Sequence, residues 1–115
     1  MQYMLMIYSD QSRIQAMAPE DGQKMMAAFN AYTESLKAAG AYVGGDRLQP
    51  TSTGATVRVR DGQTQVLDGP YADTKEQLGG YYLIEAADLD EAVKWAARCP
   101  GAAVGTLEVR PVWAM

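Results

Sequence analysis

The opening of the chain sets the strongest constraint on its fold. From Tyr3 to Tyr8 the side chains of an extended segment alternate, placing Tyr3, Leu5 and Ile7 on one face and Met4, Met6 and Tyr8 on the other. Both faces are apolar or aromatic. A strand of this kind needs cover on both sides. It is therefore expected at the centre of a sheet, with helices over one face and a second layer against the other.

The rest of the chain supplies those elements in order. Ser9–Ala18 is polar and irregular and reads as a loop free to move. Pro19-Glu20-Asp21 opens a helix: proline suits a first turn whose N–H would be unpaired, and the acids suit the positive dipole end. Met25, Phe29, Tyr32 and Leu36 recur at helical spacing and read as core, and Gly40 is the stop. Ala41–Leu48 is a strand interrupted by Gly44-Gly45. Thr56–Arg60 and Gln63–Leu67 flank Asp61-Gly62, a pair suited to the positive φ angles of a type I′ hairpin turn. Asp73 or Thr74 is expected to cap a short helical turn, with Glu76 or Gln77 closing a capping box. Gly79–Ala86 is the next strand. Asp88 caps a second helix, whose stripe reads as Leu89, Ala92, Val93 and Ala96 with Trp95 at its edge. Pro100-Gly101 ends that helix, Thr106–Val112 is the last strand, and Trp113 closes it.

Strand, helix, strand, hairpin, strand, helix, strand is the α+β, ferredoxin-like split βαβ plan with an inserted β-hairpin. One domain over residues 1–115 accommodates it. The sheet face away from the helices remains apolar, and pairing two such faces in a homodimer is the simplest way to bury it.

Composition removes several classes of function. The chain has 10 Lys and Arg against 14 Asp and Glu, a net charge of −4, and no basic cluster, so direct nucleic-acid binding is not expected. No apolar run approaches the roughly 20 residues that span a bilayer. The opening strand has neither a basic n-region nor a small-residue cleavage site, so the expected compartment is the cytoplasm. There is no histidine and a single cysteine, Cys99. Histidine-based acid–base or nucleophilic catalysis, a His-ligated metal, an internal disulfide and a Cys-based metal cluster are all excluded, and no metal or cofactor is expected. Cys99 falls at the helix end that disfavours a thiolate and is expected to be inert.

The densest stretch of special residues is Asp68-Gly69-Pro70-Tyr71-Ala72-Asp73-Thr74-Lys75-Glu76-Gln77-Leu78-Gly79-Gly80-Tyr81-Tyr82. Turn chemistry alone accounts for Asp68-Gly69-Pro70 and is the preferred reading; the functional alternative sets the Asp68 carboxylate at a pocket mouth. Lys75 is either a solvated charge or a pocket amine, and flanking Asp73 and Glu76 favour the charged form. Tyr71, Tyr81 and Tyr82 read as core and interface aromatics. Alternation puts one of Tyr81 and Tyr82 toward the helices and the other toward the open face. Gly79-Gly80 precedes a strand, so a bulge or close backbone approach fits better than a phosphate loop. Arg58 and Arg60 share a face, solvated or facing a ligand carboxylate.

This block resembles the YCII-related (DGPF-domain) family, together with the start Tyr3–Tyr8, the hairpin Val57–Gly62 and the end Glu108-Val109-Arg110-Pro111-Val112. Tyr71 stands where the family usually has Phe, and Asp73 where it often has Glu. The resemblance implies a dimeric α+β barrel, a bacterial origin and a functional link to extracytoplasmic-function sigma factors. The His–Asp pair proposed as catalytic in the founding branch cannot exist here. The expected function is a small-molecule-binding or regulatory dimer. The alternative is a cofactor-independent enzyme using Asp68, Lys75 and a tyrosine for acid/base work, with Arg58, Tyr71, Tyr81 and Tyr82 as ligand contacts. A purely structural dimer is the third reading. The enzyme reading requires Asp68, Lys75 and Arg58 to converge on one cavity.

Overall fold

A computed structural model describes residues 1–114. Strand β1 (Gln2–Ser9) lies inside a four-stranded antiparallel sheet, flanked by β5 (Gln77–Glu85) and β6 (Thr106–Pro111), with β2 (Tyr42–Arg47) outside β5. The order β2-β5-β1-β6 is that of a ferredoxin-like sheet. Tyr3, Leu5, Ile7 and Ser9 are buried and alternate with half-buried Met4, Met6 and Tyr8, as the pattern of the opening strand requires.

One face of the sheet carries α2 (Pro19–Ala38) and α3 (Leu89–Arg98). Leu5, Leu36 and Ile84 are fully buried between sheet and helices, with Tyr3, Tyr32, Ala41, Ala92 and Trp95 around them. Asp88 caps α3 by accepting from Glu91 N–H at 2.9 Å, and Glu91 Oε2 accepts from Ala87 N–H at 2.8 Å. The buried stripe of α3 is Ala92, Trp95 and Ala96. Leu89 and Val93, expected in the stripe, are 49% and 48% exposed. The bulk of Trp95 decides the rotation: its ring fills the space against Tyr32, which turns the smaller Leu89 and Val93 outward.

Other expectations change as well. Ser9–Ala18 is not irregular throughout. It holds α1 (Gln11–Gln15), capped by Asp10, whose carboxylate accepts from Ser12 N–H at 3.1 Å and Ser12 hydroxyl at 2.6 Å. The capped turn expected at residues 73–77 does not form. Gln77 and Leu78 instead pair with Ser9 and Tyr8, so β5 starts two residues early and takes the chain that a helical turn would need. Thr74 hydroxyl donates to Glu76 carbonyl at 2.6 Å. A four-residue helix, α4 (Gly101–Val104), follows Pro100, and β6 stops at Pro111, leaving Trp113 87% exposed.

The hairpin is a separate two-stranded arm, β3 (Ala55–Arg60) and β4 (Gln63–Asp68). Asp61 and Gly62 take φ of +53° and +75°, as a type I′ turn requires. The arm explains a radius of gyration of 16.0 Å, against about 13 Å for a compact chain of this length. Among the described residues, no helix is long and apolar enough to cross a membrane.

Candidate functional site

The first half of α2 stands off the sheet. Beneath it, the strands present glycines where side chains would fill the layer. Gly45 pairs with Tyr82, and Gly80 lies between Ile7 and Arg47. At Gly79 the β1–β5 register slips by one residue, the bulge that the glycine pair suggested. A side chain at Gly80 would meet Asp46 carbonyl at 3.0 Å, so close approach of backbones holds that position as well. The result is a cavity of about 730 Å³ over the β2–β5 end of the sheet. Its roof is Gly22, Met25, Met26 and Phe29 of α2, and Ile14 and Met17 close one side. Met25 and Phe29, expected as core, are half-buried and line the cavity, while Phe29 also packs against the buried core.

Polar side chains are interspersed along the cavity wall. Ser9 is only 7% exposed, yet no hydrogen bond among the described residues reaches its hydroxyl, which stays open to the cavity. Gln11 carboxamide oxygen accepts from Thr51 N–H at 3.1 Å and thereby ties α1 to the segment after β2. Asp46 and Arg47 are the charged residues among the described wall residues. Asp46 is engaged, since its carboxylate accepts from Tyr81 hydroxyl at 2.7 Å. That bond, before Coulomb repulsion, raises the Tyr81 phenol above its ordinary value.

The six residues singled out from sequence separate. Tyr82 is buried on the helix face and lines the cavity, while Tyr81 lies on the other sheet face and reaches its edge. Thr33 hydroxyl gives its single proton to Phe29 carbonyl at 2.9 Å, which leaves Tyr82 as donor in the 2.7 Å bond to Thr33. Burial raises the Tyr82 phenol, so it stays protonated with its proton already committed. Arg58 stacks over the Tyr71 ring at 5.1 Å on the arm, where Tyr71 is 77% exposed. Asp68 ends β4 in solvent, and Lys75 is exposed in the segment before β5. Within one chain Asp68, Lys75 and Arg58 line no part of the cavity, so the convergence required by the acid/base reading is absent. Turn and arm geometry accounts for their placement: Gly69 N–H donates to Gly54 carbonyl at 2.9 Å, closing the base of the arm and turning Asp68 outward. Cys99 is buried, and burial pushes its thiol up, as expected of an inert cysteine.

Sequence reasoning passed over Ser9, Gln11 and Arg47. The available signal was a serine in register with the apolar, buried positions of a central strand, two residues before a helix. As it stands, the cavity can bind and orient a ligand, and the carboxylate among its described wall residues, Asp46, already accepts one hydrogen bond from Tyr81.

The fold is similar to that of a solved structure of 5-chloro-2-hydroxyhydroquinone dehydrochlorinase (TftG) from Burkholderia phenoliruptrix AC1100, in complex with 2,5-dihydroxybenzoquinone. The TM-score is 0.55 at 20% identity, covering 98% of this chain and 94% of that one. An uncharacterised protein of Rhizobium meliloti (strain 1021) is 40% identical over 114 residues, which is 97% of this chain and 92% of that protein. The YCII-related domain matches residues 1–115 from end to end, and the chain belongs to the YCII-related family.

Proposed function

We propose that this YCII-related protein is a small-molecule-binding homodimer whose ligand sits between α1, α2 and the glycine floor of the sheet. The cavity carries this reading. Its volume of about 730 Å³ falls within the roughly 300–1,000 Å³ of small-molecule sites. Thioether and aromatic walls with polar groups among them suit an apolar body that must be oriented. The TftG complex supports the class of ligand, since the same fold there accompanies a small oxygenated ring. The acid/base alternative built on Asp68, Lys75 and a tyrosine has less support, because Asp68 and Lys75 stand outside the cavity and the Tyr82 proton is committed. The sigma-factor link rests on the family resemblance alone.

The homodimer is supported by the open sheet face, where Met4, Met6, Tyr8, Tyr81 and Leu83 lie side by side and half-buried. Light scattering should give a dimer mass for the wild type and a monomer for Met6→Glu.

The test of the binding reading is a fragment screen by thermal shift on the wild type and Gly22→Phe. A Cβ at Gly22 meets nothing within 4 Å, so the ring has room to enter the cavity. Ligands should raise the wild-type melting point by mass action and lose that effect in the variant. Equal shifts in both proteins would place binding elsewhere.

A further inference from the structure

We propose that the cavity ends in an anion subsite, formed by Arg47 and Ser9, that takes the carboxylate of an organic acid with an apolar body of one or two rings. The inference rests on the cavity being a ligand site and adds the chemistry of its ligand. Two independent observations carry it.

The first is Ser9. Ser9 is only 7% exposed as a residue, and a polar group with few routes to water is destabilising unless it is matched. Its hydroxyl has no hydrogen-bond partner among the described residues and is not among the fully buried unpaired atoms, so its remaining access is to the cavity it lines. A Cβ at Gly79 would lie 3.4 Å from Ser9 Oγ, so glycine at that position keeps the hydroxyl accessible.

The second is Arg47. It is the cation on the described wall, an exposed side chain at the cavity's end, and no ion pair or hydrogen bond among the described residues engages its guanidinium. The neighbouring carboxylate, Asp46, is already bonded to Tyr81. Arg47 stands across from Gly80, and Ser9 beside Gly79, so the two flank the same pair of glycines from β2 and β1. A guanidinium presents paired N–H groups that fit both oxygens of a carboxylate, and the serine hydroxyl adds a third donor. Met25, Met26, Phe29 and Ile14 then receive the apolar body.

The probes are 2-naphthoate and 4-phenylbenzoate, each paired with its neutral amide, titrated by calorimetry into wild type, Arg47→Gln, Ser9→Ala, Gly22→Phe and Lys75→Ala. The acids should bind wild type about tenfold or more tightly than the amides, the difference expected of a hydrogen-bonded charge. Arg47→Gln should remove that preference while leaving amide affinity unchanged, and Ser9→Ala should weaken the acids by a smaller factor. Lys75→Ala should bind both as wild type does. Equal acid and amide affinity, or unchanged acid binding in Arg47→Gln, overturns the anion subsite and leaves the cavity reading standing. Acid binding that survives Gly22→Phe puts the site elsewhere and overturns it too. If no acid or amide binds at millimolar concentration, the subsite fails, and the fragment screen decides the fate of the cavity separately.

Discussion

Replacing Tyr32 with Phe isolates one buried hydrogen bond at the centre of the core. Tyr32 is buried, and its hydroxyl donates to Trp95 carbonyl at 2.7 Å. Trp95 sits in the last turn of α3, where the N–H of Cys99 has turned to Ala96 carbonyl instead. The Trp95 carbonyl is thus one of the orphans of a helix end, and a side chain from α2 satisfies it. Phenylalanine keeps the edge-on ring contacts with Tyr82 and Trp95, at centroid distances of 5.3 and 6.3 Å, so packing is nearly unchanged. What is lost is the partner of a buried carbonyl, about 1–3 kcal/mol. The melting point should fall by roughly 5–10 °C. Urea unfolding followed by circular dichroism should show a lower midpoint with an unchanged slope. The same substitution has an alkaline signature. Burial holds the Tyr32 phenol well above its ordinary value of 10.0, so the folded state keeps a proton that the unfolded state gives up. This stabilisation is complete below about pH 10 and is lost as pH rises, by about 1.4 kcal/mol per pH unit for each such group. Tyr82 and Cys99, also raised first by burial, act in the same sense. The Phe variant should therefore decline less steeply than wild type above pH 10, though not remain flat. A loss under about 0.5 kcal/mol, less than a typical net hydrogen bond, together with an unaltered alkaline slope, would show that the Trp95 carbonyl does not depend on Tyr32.

Gly22→Ala should stabilise the protein by about 0.5–1 kcal/mol, because Gly22 lies in the interior of α2 with open space at its Cβ position; a lower melting point would mean that the space is not free. Asp88→Ala should cost about 1 kcal/mol by removing the cap bond to Glu91 N–H, and Asp88→Asn should restore most of it in the same urea titration. Cys99 should resist a disulfide reagent in the native state and react fully in urea, since the thiol is buried and its ionisation is disfavoured; rapid native labelling would contradict both.

The elements that declared themselves in the sequence are those whose local chemistry and tertiary role agree. The alternation in β1, the Pro19 start and Gly40 stop of α2, the Asp88 cap and the Asp61-Gly62 turn all act where they stand. The misreadings occurred where a distant partner decided the outcome. Gln77 carries capping-box chemistry, but it and Leu78 are claimed by Ser9 and Tyr8 across the sheet. Leu89 and Val93 have the right spacing for a stripe, but Trp95 takes the contact with Tyr32. The cavity was hidden for the same reason. Met25 and Phe29 have the spacing of core residues, and only the register of β2 and β5 reveals that glycines face them.

The fifteen residues from Asp68 to Tyr82 can now be divided by what each end does. At the first end, Gly69 is buried with φ of +91°, its N–H bonded to Gly54 carbonyl and its own carbonyl accepting from Thr56 hydroxyl at 2.9 Å. Those bonds close the base of the arm, and Tyr71 folds back under Arg58. At the other end, Gly79 and Gly80 clear the floor of the cavity and Tyr82 closes part of its wall. The charged middle, Asp73 to Lys75, stays in solvent. The conspicuous acid and lysine thus belong to the turn and its connection, and the groups with unmet chemistry lie outside the block, on the strands to either side of its glycines. An aspartate–glycine–proline turn places no charge in the cavity. The proposed subsite rests instead on Ser9, whose hydroxyl reaches the cavity, and on Arg47, which has no ion pair among the described residues, with the glycines between them leaving room for a ligand.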